Sequence, residues 1–193
     1  IKQYNLFKNR QNLKMKGSVF NGFENYVEQR YGLHIWQQLI ENTELASDGI
    51  YLASDAYDDH ELSSLISMLS TNVSKTASDI EREFGEFFFA TLFSLASQYV
   101  KHIDNLFDFL RSVDDVIHVE VKKSDASAYT PAFFYDQPAD NQLVMRYVSK
   151  RGMCYFAEGL IIGAAKQFKT AAQISQAKCV HCGDEYCLIN ITI

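Results

Sequence analysis

Residues 141–156 read NQLVMRYVSKRGMCYF, and within this stretch the chain changes its periodicity. Side chains on a β-strand alternate between faces. Tyr147, Ser149 and Arg151 therefore fall on one face, and Val144, Arg146 and Val148 on the other. From Gly152 to Lys169 the pattern becomes helical, through MCYFAEGLIIGAAKQF. Two hydroxyls and a planar guanidinium at one place suit a carboxylate or a phosphate. The same spacing also describes a half-exposed strand with ordinary polar residues, and spacing alone does not separate the two.

Working outward, strand signals flank this helix on both sides. AFFYDQP precedes residues 141–150, while AAQISQAKCV and YCLINITI follow, around the turn HCGDE. The preceding half reads as helices. Phe23, Tyr26, Val27 and Arg30 share a helical pattern that Gly32 closes. A second helix carries Ile35, Trp36, Leu39 and Ile40, and Asp58 or Asp59 caps a third with Leu62, Leu65, Ile66 and Leu69. Thr76 or Ser78 opens a long apolar helix through Phe84, Phe88, Leu92 and Leu95. A further helix is expected from near Tyr99, with Ile103, Leu106, Leu110, Val113 and Ile117 at i, i+3, i+4 spacing. It ends around His118, where HVEVKK reads equally as a short strand. Helices first, then a mostly antiparallel sheet with one inserted helix, is an α+β fold.

The chain has 193 residues, enough for one domain with a sizeable core. Its 47% hydrophobic and 22% charged content is that of a globular soluble protein, and cytoplasm is the default location. A net charge of −6 without a Lys/Arg run argues against nucleic acid or an anionic membrane as partner. No apolar stretch reaches the roughly 18 residues of a spanning helix. Residues 1–14 are polar and basic and read as an extension of unknown origin, with the domain occupying 15–193. All four cysteines, Cys154, Cys179, Cys182 and Cys187, fall near the C-terminus. In a reducing compartment such a cluster favours metal or redox chemistry over disulfides.

Five histidines are present, of which His118 follows an apolar helix face at Val113, Val116 and Ile117. Its ring is expected to point inward, where an unmatched imidazole costs roughly 1–3 kcal/mol. An iron ion would satisfy it.

MKGSVFNGFENYVEQRYG, FLRSVDDVIHVEVKK, YTPAFF and YVSKRGM together resemble the H-NOX family of haem nitric oxide/oxygen binding domains, over Met15 to Ile193. The resemblance implies haem b, with His118 as the proximal iron ligand and Tyr147, Ser149 and Arg151 on the propionates. It implies that Pro131 presses on the porphyrin. His102 competes for the ligand role but lacks the following VEVKK segment and a proline at the matching distance. Some family members hold oxygen through a Tyr five positions beyond the triplet Arg; here that position is Phe156, and the supporting Asn aligns with Phe88. With Val19, Phe23, Leu92 and Leu160 these make an apolar distal wall. Such a wall leaves oxygen without a donor and so favours nitric oxide and carbon monoxide.

For the cysteines, the resemblance implies a structural zinc site. Some family members carry zinc with three Cys and one His, three residues before the first hairpin Cys, where this chain has Gln176. Cys154, Cys179 and Cys187 are expected as ligands, with Cys182 as the fourth and His181 as its alternative. Reduced thiols or a CxxC disulfide are the other readings. No catalytic constellation stands out; Asp58 with Asp59 and Asp114 with Asp115 read as helix caps and solvated faces. The expectation is a sensor, not an enzyme, acting on a histidine kinase or a cyclic-di-GMP enzyme. The alternative is a haem-free, zinc-bearing regulatory domain that binds a small molecule.

Overall fold

The computed structural model describes residues 13–126 and 128–193 and divides the chain into two compact units, residues 1–80 and 81–193. All but the last two positions of the expected extension at residues 1–14 lie outside the described residues. The α+β order is observed.

The first unit opens with β1 (Lys14–Lys16), which runs directly into α1 (Gly17–Tyr31). Helix α2 (Leu33–Asn42) follows, with Gly32 between them at φ 93°, in the left-handed region that costs glycine least. β2 (Ala56–Asp58) pairs antiparallel with β1 and leads into α3 (Asp59–Val73). Asp58 caps α3 as expected, its carboxylate accepting from His60 N–H at 2.9 Å. An aromatic group made by Phe20, Tyr51 and Tyr57 fills the space under α1, with Phe20 and Tyr51 stacked at 4.2 Å. Phe23 meets Trp36 edge-on, and both are buried. Gly17 permits the close approach of the 52–57 loop, since a Cβ there would lie 2.1 Å from the Leu52 carbonyl oxygen.

Helix α4 (Ala77–Ala96) carries the chain from one unit to the next, and Thr76 caps it by accepting from Asp79 N–H at 3.1 Å. In the second unit, α5 spans Leu106–Ser112, a π-helical turn spans Val113–Ile117, and α6 spans His118–Ser124. β3 (Ala132–Ala139) and β4 (Gln142–Val148) precede α7 (Cys154–Gln167), and β5 (Gln173–Lys178) and β6 (Cys187–Thr192) complete the chain. The sheet is antiparallel in the order β3-β4-β6-β5. Pro138 sits on the edge strand β3 where the register shifts between Asp136 and Ala139, a position that tolerates a missing N–H. Leu143, Met145 and Tyr147 of β4 and Ile189 and Ile191 of β6 form one apolar face against Cys154, Ala157, Ile161 and Ala164 of α7.

Three expectations are corrected. The helix foreseen from Tyr99 begins only at Leu106, where Asn105 accepts from Asp108 N–H at 2.9 Å; residues before it are turn and extended chain. HVEVKK is helix, not strand. The strand carrying the triplet ends at Val148, so Ser149 and Arg151 are placed by the turn into α7 rather than by strand alternation.

Candidate functional site

Tyr147 is buried at 4% exposure against Phe133, whose ring lies 5.8 Å away. Burial pushes its hydroxyl pKa up, and a hydrogen bond with Ser149 pulls it part of the way back. The Ser149 hydroxyl in turn accepts from Arg151 N–H at 3.2 Å. Ser149 is thus linked to the Tyr147 side chain and to the Arg151 backbone, although only Tyr147 belongs to the strand. Arg151 stacks over the Tyr129 ring at 4.9 Å and donates to the Tyr129 carbonyl at 3.0 Å. Pro131 stands two residues further on, just ahead of β3, and Thr130 between them buries a hydroxyl with no hydrogen-bond partner among the described residues. A cationic group, two hydroxyls and an orphaned third beside Pro131 fit an anionic carboxylate-bearing ligand such as a haem propionate.

His118 opens α6 directly after the π turn, its side chain 13% exposed. Its Nδ1 bonds Asp114 Oδ1 at 3.0 Å, and its ring lies on Phe133 with centroids 5.4 Å apart. The other Asp114 oxygen accepts from Phe133 N–H at 3.3 Å. Burial lowers the His118 pKa, with Asp114 pulling it up and Lys122 adding a smaller downward push. Because a carboxylate oxygen only accepts, Nδ1 is the donor of this bond, and Nε2 is the nitrogen left as a candidate metal donor. His102 lies exposed in a turn. Sequence reasoning placed Asp114 on a solvated face and so missed it; the signal was its i, i+4 spacing to His118.

The expected distal residues are all apolar and described, in their own units. Val19 and Phe23 lie on α1, Phe23 fully buried. In the second unit, Phe84 on α4 meets both Phe88, at 5.4 Å, and Phe156 of α7, at 5.1 Å. Glycines bring these helices together: a Cβ on Gly159 would lie 2.0 Å from the Arg82 carbonyl oxygen, and one on Gly85 2.2 Å from that of Phe156. This crossing fixes Phe156 and Leu160 relative to Phe88 and Leu92.

Cys154 at the start of α7, Cys179 after β5 and Cys187 at the start of β6 are buried, with sulfurs all within 4.8 Å of one another. Cys154 donates towards Cys187, which keeps the Cys154 thiol well above the usual range and brings Cys187 down to about 6. Cys179 Sγ is 3.7 Å from Cys154 Sγ, and Val180 N–H donates to Cys187 Sγ at 3.4 Å. Cys182 is exposed and outside this group. His181 stacks on Tyr155 and commits Nε2 to the Gly152 carbonyl at 2.7 Å. Gln176 instead buries both polar atoms of its side chain without a hydrogen-bond partner among the described residues, close enough to Cys154 to favour its thiolate. A cleft of about 470 Å3 lined by Arg82, Tyr155, Glu158 and Gln176 opens beside it.

The chain matches the family model described as Haem-NO-binding over residues 16–176. Its fold is similar to that of an H-NOX protein from Shewanella woodyi in the Fe(II)CO state, bound to IWP-051, at 35% identity and TM-score 0.78, covering 92% of this chain and 94% of that one. An H-NOX protein from S. oneidensis in the Fe(II)NO state matches at 32% identity and TM-score 0.84, over 92% and 98% of the two chains. The unliganded Fe(II) H-NOX protein from K. algicida matches at 29% identity and TM-score 0.85, over 92% and 96%.

Proposed function

The chain belongs to the haem-NO-binding, or H-NOX, family, and from that premise we propose a nitric oxide sensor whose ferrous haem b is held by His118. The observation that carries the reading is the geometry of His118: largely shielded from solvent at 13% side-chain exposure, with Nδ1 already engaged by Asp114 and one nitrogen left for iron. Haem, when bound, supplies the ferrous iron that takes nitric oxide or carbon monoxide. Tyr147, Ser149 and Arg151 hold the propionates, each charge-assisted bond to Arg151 contributing about 1.5–3 kcal/mol. Pro131 packs against the macrocycle. Val19 and Phe23 in the first unit, and Phe88, Leu92, Phe156 and Leu160 in the second, are apolar side chains that offer no hydrogen-bond donor, so oxygen gains nothing from them that nitric oxide lacks.

Family membership makes the domain a sensor rather than an enzyme. A histidine kinase or cyclic-di-GMP enzyme in the cytoplasm is the partner proposed, with α6 as the element whose position differs between ligation states. None of the described helices is long and apolar enough to cross a membrane. The test is kinase autophosphorylation or cyclic-di-GMP turnover with unliganded, nitric-oxide-bound and His118→Gly protein. Differing activities support the reading; identical activities on every candidate partner overturn the sensor role.

The cysteine group supports a second metal in the same protein, a structural zinc. Three buried thiols within 4.8 Å of one another fit it. For the fourth position, Cys182 would have to turn inward and His181 would have to give up the Gly152 carbonyl. Metal analysis of reduced wild-type and Cys182→Ser protein tests this: zinc in both supports the reading, and its absence from fresh wild-type protein removes it.

A further inference from the structure

We propose that Asp114 is a positioning residue for His118: its carboxylate accepts a hydrogen bond from Nδ1–H, locks the tautomer and ring angle, and makes Nε2 a stronger donor to haem iron. The inference rests on the haem reading above and adds to it a control on the iron–histidine bond.

Three observations carry it. The carboxylate is held at both oxygens, one by His118 Nδ1 at 3.0 Å and the other by Phe133 N–H at 3.3 Å, which fixes its orientation towards the ring. The neighbouring Asp115, by contrast, is exposed. Asp114 lies inside the π turn Val113–Ile117 and His118 directly after it, a rare geometry that is frequent at functional sites. Finally, Phe133 both stacks on the imidazole and supplies the N–H that fixes Asp114, so one residue of β3 sets ring and carboxylate together.

A histidine ligand whose second nitrogen donates to a carboxylate is more basic than one donating to a neutral group, and loss of such a partner typically costs about 10–100-fold in metal affinity or activity. Asp114 therefore strengthens the bond that nitric oxide must weaken, and sets how readily the sensor switches. It also ties the ligand to β3, which Tyr135 reinforces by donating to the Leu110 carbonyl of α5.

The test is resonance Raman of the ferrous unliganded protein in wild type, Asp114→Asn and Asp115→Asn. The iron–histidine band should move to lower frequency in Asp114→Asn and stay in place in Asp115→Asn. An unmoved band in haem-loaded Asp114→Asn overturns the proposal while leaving the haem reading intact. Persistence of the band in His118→Gly overturns the haem reading itself. Should Asp114→Asn fail to fold, the wild type decides alone by nuclear magnetic resonance of its diamagnetic carbon monoxide complex. A downfield His118 Nδ1 proton protected from exchange supports Asp114 as partner, and rapid exchange with solvent refutes it.

Discussion

His118 and the cysteine hairpin are two metal-competent places in one unit, and they are built in opposite ways. At His118 the protein satisfies one ring nitrogen internally, through Asp114, and leaves the other without a hydrogen bond to that carboxylate. At the hairpin three sulfurs turn towards one another, and Val180 N–H points at Cys187. In the proposed reading the first arrangement would present a single donor to a group much larger than an ion, and the second would surround something the size of an ion. The first would hold a cofactor that brings its own remaining ligands, and the second would supply most of a coordination shell itself.

The contrast predicts unequal costs. Breaking the closed site should cost most: Cys187→Ser should lose zinc and much of the domain's stability, since structural zinc contributes on the order of 10 kcal/mol at neutral pH. Thermal unfolding with and without a chelator reads this. If the variant melts with wild-type Tm and chelator does nothing to either, the hairpin is not a metal site. The propionate group is next. Arg151→Ala should weaken haem retention by about 1.5–3 kcal/mol, or roughly 10–150-fold, measured by transfer of haem to an apoprotein acceptor. Unchanged retention would remove Arg151 from the site.

Smaller effects sharpen the comparison. Phe156→Tyr should add about 1 kcal/mol of oxygen affinity, seen as a slower loss of the oxygen spectrum in air. Phe88 offers the new hydroxyl no support, so the gain should be less than in a pocket with an amide there. A stable oxygen complex in the wild type would contradict the apolar-wall argument. Smallest of all, Cys182→Ser should shift stability by no more than about 0.5 kcal/mol, because the residue is exposed and outside the sulfur group. Zinc loss in this variant would restore Cys182 as a ligand.

Much of the fold was legible because its helices and strands are periodic and long: α1, α3, α4, α7 and the four strands of the larger sheet all follow from spacing. The β1–β2 pair was not legible, since its two strands of Lys14–Lys16 and Ala56–Asp58 are too short to show alternation. Nor was the break before Leu106, where apolar residues continue at helical spacing through a stretch that is not helix. At the site, residue types pointed to His118 and the triplet, but partners did not. Asp114 looked like any acidic residue near a helix end until the π turn set it against His118. Cys182 and Cys179 form a CxxC pair in sequence, yet the short helical turn Val180–Cys182 leaves Cys182 exposed while Cys179 is buried. Sequence proximity proposed a pairing that backbone direction undoes.

The central claim is that His118 holds haem, and the visible spectrum of the ferrous protein tests it most directly. The account predicts a Soret band in the wild type that shifts with nitric oxide and stays unshifted in air. It predicts loss of that band in His118→Gly and its return when imidazole is supplied, with His102→Ala indistinguishable from wild type. A Soret band that survives His118→Gly without imidazole, or disappears in His102→Ala, would contradict it.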